Sequence, residues 1–133
     1  MPRRGCPCPD PWGGVLVAPA AFARITKNTI DPVAIVAGAG RHLIVTGPIR
    51  CDQTERTYLR VTVTQRETGA VAEGHAFFTC TVDIQQWEVH AVTHGKANFE
   101  EGPATAVGVA STSVRGVTTD AHQWLVDITL VEE

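Results

Sequence analysis

The sequence predicts an all-β, immunoglobulin-like antiparallel β-sandwich of about seven strands. Two observations carry that expectation. Apolar residues recur with a period of two through most of the chain, and Gly- and Pro-containing turn signals break the alternation at short spacing. Composition agrees: 44% of the 133 residues are hydrophobic but only 6% aromatic, with a single Met. Val, Ala, Thr and Gly abound, which suits sheet more than helix packing.

The same numbers bound the function. A chain of 133 residues is expected to hold one domain, and 19% charged residues leaves enough apolar material for a core. Eleven Lys and Arg against fourteen Asp and Glu give a net charge of −3. That balance lacks the positive footprint of a nucleic-acid or anionic-membrane binder, so no nucleic-acid partner is expected. No apolar run reaches the roughly 18–20 residues of a membrane-spanning helix, so no transmembrane segment is expected either.

The first 23 residues, MPRRGCPCPDPWGGVLVAPAAFA, differ from the rest. Arg3 and Arg4 form a basic start, Gly13 to Ala20 a short apolar stretch, and Ala21-Phe22-Ala23 an A-x-A cleavage pattern. These are the parts of a secretory signal peptide in the right order, with Arg24 as the expected first mature residue. Asp10 and the prolines at 7, 9 and 11 interrupt the apolar zone, so a flexible Pro-rich tail is the alternative. Cys6 and Cys8 form a C-x-C pair, half of a tetrahedral metal site, with no second pair at metal-like spacing.

From residue 24 to 133 the β-sandwich domain is expected. Ile25–Asn28 and Val33–Val36 supply one or two short strands. In His42–Cys51, Leu43, Val45, Gly47, Ile49 and Cys51 share one phase; in Tyr58–Arg66, Leu59, Val61 and Val63 do. Val71–Thr81 places Ala72, Gly74, Ala76, Phe78 and Cys80 together, and Trp87, Val89 and Ala91 follow. Ala104–Ser113 is small and β-branched, and Trp124, Val126, Ile128 and Leu130 end the pattern. Residues 52–57 and 95–103 read as loops.

Cys51 and Cys80 both fall in the inward phase, each at the end of its own strand. A disulfide between them closes a loop of about 30 residues, worth roughly 3–4 kcal/mol by chain entropy. Two buried free thiols are the alternative. The leader favours the bridge, because a persistent disulfide needs an oxidising compartment. Trp87 and Trp124 share the inward phase and are expected to pack near it. The order Cys–Cys–Trp departs from the Cys–Trp–Cys order of true immunoglobulin domains, so only the sandwich architecture is expected to carry over.

The run VTGPIRC at 45–51, VTVTQ at 61–65, G-x-x-x-x-x-C at 74–80, Trp87 and F-x-x-G-P-A-T-A at 99–106 resemble a family of small secreted actinobacterial proteins of unknown function. The resemblance covers roughly residues 25–131. It implies an exported β-sandwich with one disulfide and implies no activity.

Catalytic motifs are sparse. Ser111 and Ser113 lie outside any G-x-S-x-G turn, and Gly38-Ala39-Gly40 lacks the Lys of a phosphate loop. No catalytic residue and no firm cofactor is expected. The histidines offer one constellation. A hairpin of 71–80 with 86–94, registered by Phe78 opposite Trp87, sets His75 opposite His90 on the outer face. Glu73 and His94 lie within reach as further ligands for a divalent metal. The plain alternative is a set of solvent-facing polar residues. A second surface, Tyr58, Arg60, Thr62 and Thr64, with Arg50 and Arg66 beside it, suits contact with a protein or glycan. The leading expectation is therefore a non-enzymatic, exported binding or structural surface module. The others are a secreted metal-binding protein or enzyme using His75 and His90, and a subunit of an extracellular assembly joined by strand addition.

Overall fold

A computed structural model describes residues 25–133. The segment 1–23 expected to be a signal peptide or flexible tail, with Cys6 and Cys8, lies outside the described residues. Eight strands follow one another: β1 (Ile25–Asn28), β2 (Val33–Ala37), β3 (His42–Cys51), β4 (Glu55–Gln65), β5 (Ala70–Cys80), β6 (Gln85–His94), β7 (Gly102–Val114) and β8 (Val117–Glu132). A single 3-10 turn, Gly38–Gly40, joins β2 to β3.

The alternation predicts the inward face well. Leu43, Val45, Ile49, Cys51, Leu59, Val61, Val63, Ala72, Cys80, Val89, Ala91, Ile128 and Leu130 are all buried in one cluster. Each strand places every second side chain there because successive Cβ atoms point to opposite faces.

The all-β class holds, but the arrangement of sheets differs from the sandwich. One ladder runs β3-β2-β8-β7-β4-β5-β6, and β6 then pairs antiparallel with β3, closing a seven-strand barrel. Strand β1 extends the pairing of β3 alongside β2. The β3–β6 ladder is long, from His42↔Val92 to Ile49↔Gln85. The inward residues explain the curl. Ala72, Ala91, Ala104, Ala106 and Ala110 are all buried, and such small side chains let a sheet bend tightly and fill a narrow interior. Strand β2 lies parallel to β8, with Val33 beside Thr129 and Val36 beside Glu132.

Both core tryptophans sit across from a glycine. Trp87 pairs with Gly47 and Trp124 with Gly108. A Cβ placed on Gly47 would lie 2.5 Å from Cζ2 of Trp87, and one on Gly108 would lie 2.5 Å from Cζ2 of Trp124. Each indole therefore occupies the space its partner's missing side chain leaves, a packing that only glycine permits.

Residues 55–57, expected as loop, instead open β4, pairing with Cys80, Thr79 and Phe78. Their inward members are polar, which hid the strand. Glu55 and Thr57 are buried, and Glu55 accepts a hydrogen bond from Thr119, whose hydroxyl lies 2.8 Å from that of Thr112. These groups close the barrel end that carries the Cys51–Cys80 disulfide, with Cα atoms 5.8 Å apart. Gln65 organises the opposite end. Its Nε2 donates to the carbonyls of Glu100 (2.8 Å) and Pro103 (3.2 Å), and its Oε1 accepts from the Glu100 amide (2.9 Å).

Candidate functional site

The outer face is where the chemistry-bearing side chains gather. On β4, Tyr58, Arg60, Thr62 and Thr64 all point outward as expected, and their β5 partners are Phe77, His75, Glu73 and Val71. Phe77 is the notable neighbour, with 68% of its surface exposed. Its ring centroid lies 4.8 Å from that of Tyr58, and the His75 ring is 5.8 Å from Phe77 and 5.9 Å from Tyr58. Beside this trio a groove of about 360 Å³ is lined by Arg56, Tyr58, Phe77, Ser113 and Arg115. Of the two arginines expected beside the face, Arg66 borders Thr64 in a separate groove, while Arg50 lies on β3 paired with Lys27.

Phe77, Arg56 and Arg115 escaped the sequence reading. Two adjacent phenylalanines in a strand must face opposite ways, so assigning Phe78 to the core already sends Phe77 outward. Arg115 sits in the β7–β8 turn with a positive φ of 51°, which nothing in the alternation signals.

The histidines are distributed differently from the expected cluster. The β5–β6 register matches the expected one at Val71↔His94, Ala72↔Thr93 and Glu73↔Val92, but the pairing ends there. Beyond Glu73, β6 continues its ladder with β3, and His75 stays with β4 opposite Arg60. The register was right and the length of the hairpin was not: past Glu73 the two strands leave the ladder, and Gly74 packs against the His90 carbonyl. Glu73 keeps two of its expected neighbourhoods: its carboxylate lies 3.8 Å from His94 Nε2 and 3.5 Å from Arg60 Nε. These groups are substantially exposed, so the pairs stabilise little.

His90 instead meets His42, at the start of β3. His42 Nε2 and His90 Nδ1 are 2.8 Å apart, and His90 Nε2 is 2.6 Å from Glu88 Oε2. Glu88 and His90 are two apart on β6 and so share a face; His42 is their diagonal neighbour across the closing ladder, since it pairs with Val92 while His90 pairs with Ile44. Among the described residues no three His, Cys, Asp or Glu side chains gather within ligating range of one ion.

A larger groove, about 460 Å³, lies at the end opposite the disulfide, between the Gly38–Gly40 turn, residues 98–100 and the C-terminal glutamates. The two cysteine sulfurs in the described region are bonded to each other, which removes thiolate chemistry. No helix of the described region is long and apolar enough to cross a membrane. Among models of known protein families none matches the chain, and no curated protein matches it.

Proposed function

We propose that the chain is an exported, non-enzymatic binding module whose contact surface is the outer face of β4 and β5 near the disulfide. The observation that carries this reading is Phe77, a large apolar ring 68% exposed on a sheet face, tilted against Tyr58 and bordered by Arg56 and Arg115. Singly exposed apolar residues are ordinary, but an aromatic pair flanked by arginines is the composition of interaction hot spots. The cationic rim favours a protein partner bearing carboxylates. Export is supported by the A-x-A leader pattern, and by a disulfide that endures in oxidising compartments.

Photo-crosslinking tests it. A benzophenone amino acid in place of Phe77, expressed in the producing organism, is expected to give discrete protease-sensitive adducts. Substituting Arg56→Glu and Arg115→Glu is expected to abolish them. The same crosslinker at Leu125, which is 66% exposed elsewhere on the outer face, serves as control. Equal adducts from both positions, none from position 77, or adducts cleaved only by glycosidases would overturn the protein-binding reading.

One observation favours strand addition as a second reading. Past Glu73 the β5–β6 ladder opens: Gly74 packs against the His90 carbonyl and the Thr79 carbonyl accepts from Gln85 Nε2, while His75–Phe78 of β5 have no ladder partner on that side among the described residues. Exposed strand edges invite pairing with another chain. Size-exclusion chromatography at rising concentration checks it: a concentration-dependent dimer is expected, and a monomer throughout would exclude self-assembly by this route.

A further inference from the structure

The barrel's closure creates a site of a different kind. We propose that His42 and His90 form a two-histidine site for a divalent copper ion, with Glu88 as the residue that positions His90. This inference stands apart from the binding face on β4 and β5, and either can fail without the other.

The tautomers follow from elementary chemistry. A carboxylate at neutral pH only accepts hydrogen bonds, so His90 Nε2, 2.6 Å from Glu88 Oε2, carries the proton. In the neutral ring Nδ1 is then a lone pair, and it faces His42 Nε2 at 2.8 Å. A carboxylate holding the far nitrogen of an imidazole is the usual support of a metal-bound histidine, fixing tautomer and ring direction. His42 needs only to move its proton from Nε2 to Nδ1 through solvent, after which two lone pairs converge with no net proton released.

The donor set selects the metal. At 2.8 Å the two nitrogens face each other as a hydrogen-bonded pair, so both rings turn before their lone pairs meet one ion. For a site of given nitrogen ligands Cu²⁺ stands highest in the divalent affinity order, above Zn²⁺, and two imidazoles with water fit its tetragonal geometry. Both rings are on the outer face, and His90 is half exposed, so small ring rotations can aim both lone pairs at one ion. With no third protein ligand gathered among the described residues, water completes the coordination and the ion remains exchangeable.

The opening of the β5–β6 ladder matters here too. If β5 paired with β6 along its whole length, His75 would stand directly across from His90. That ladder ends at Glu73, and on its other edge β6 presents His90 to β3, where the pairing partner of His90 is Ile44, a side chain that cannot ligate. The site is therefore a property of barrel closure.

The test is Cu²⁺ titration of tag-free full-length protein carrying Cys6→Ser and Cys8→Ser, so that free thiols neither bind nor reduce the ion. Electron paramagnetic resonance reads the ligands and calorimetry reads affinity. One equivalent of Cu²⁺ is expected, with a tetragonal spectrum coupled to two imidazole nitrogens, at least tenfold tighter than Zn²⁺. His42→Ala or His90→Ala is expected to weaken binding at least tenfold and to remove one nitrogen coupling. Glu88→Gln is expected to weaken it by about tenfold while keeping both couplings, as loss of outer support typically does. His75→Ala and His94→Ala are expected to leave the spectrum and affinity unchanged. Binding that survives His42→Ala and His90→Ala, a spectrum that changes with His75→Ala, or no stoichiometric Cu²⁺ binding would overturn the proposal.

Discussion

The seating of Trp87 on Gly47 makes a quantitative prediction when set against Trp124 on Gly108. In Gly47→Ala the new methyl would overlap the carbonyl oxygen of Thr29 and stand 2.5 and 2.9 Å from Cζ2 and Cε2 of Trp87. Trp87 is only 4% exposed and wedged in the core cluster, and the Thr29 carbonyl is backbone, so neither obstacle can swing aside. In Gly108→Ala the three atoms nearest the methyl, at 2.5 to 2.9 Å, all belong to the Trp124 ring, a side chain that is only half-buried, with no backbone atom among them. Overpacking costs about 1–3 kcal/mol, so Gly47→Ala belongs at or above the upper end and Gly108→Ala near the lower. The gain from stiffening the unfolded chain is similar for both and cancels in the comparison. At roughly 4–8 °C per kcal/mol, the thermal midpoint of Gly47→Ala should lie about 10 °C below that of Gly108→Ala. Thermal unfolding followed by tryptophan fluorescence, with the disulfide intact, measures this. Equal midpoints, or the reverse order, would refute the packing of Trp87 over Gly47.

Three further outcomes are expected. Replacing Cys51 and Cys80 together by alanine opens a loop of sequence separation 29 and should cost about 3–4 kcal/mol in urea unfolding; a loss under 1 kcal/mol would contradict the staple. Gln65→Ala strands the Glu100 amide and the Glu100 and Pro103 carbonyls; it should cost about 2–3 kcal/mol and speed hydrogen exchange at Glu100 more than at Val61. Phe77→Ser should change stability by no more than about 0.5 kcal/mol, because the ring is 68% exposed; a larger loss would mean that Phe77 is a structural residue and not a contact one.

What the sequence shows and what it hides follow from one distinction. Period-two alternation reports which face a side chain takes, and it places Leu43 through Ile49, Leu59 through Val63 and both cysteines correctly. Alternation says nothing about which strand lies next to which. A sandwich and a barrel share the same inward residues, and the pairings that separate them here, β3 with β6 and β2 with β8, join segments far apart along the chain. The candidate metal cluster failed to form for a related reason: the hairpin register at Glu73↔Val92 was legible, but the departure of β5 from that ladder at Gly74, which packs against the His90 carbonyl, was not. Polar inward positions caused the other misreading. Glu55 and Thr57 break the apolar pattern, yet they are buried as part of the hydrogen-bonded end of the barrel, so a strand start reads as loop. On the outer face, Tyr58 and Arg60 were legible as outward residues, whereas the exposure of Phe77 needed the neighbouring Phe78 to be taken as core.

Closure of β6 onto β3 makes the barrel and brings His42 to His90, and cross-strand proton contacts measure it most directly. The structure predicts nuclear Overhauser contacts linking the backbones of Leu43 with Ala91, Val45 with Val89, and Gly47 with Trp87. Between β5 and β6 paired contacts should run from Val71 with His94 to Glu73 with Val92, beyond which Gly74 lies against His90 and the ladder ends. A β5–β6 ladder continuing through His75 and His90, with no contacts between β3 and β6, would contradict the barrel and the copper site built on it.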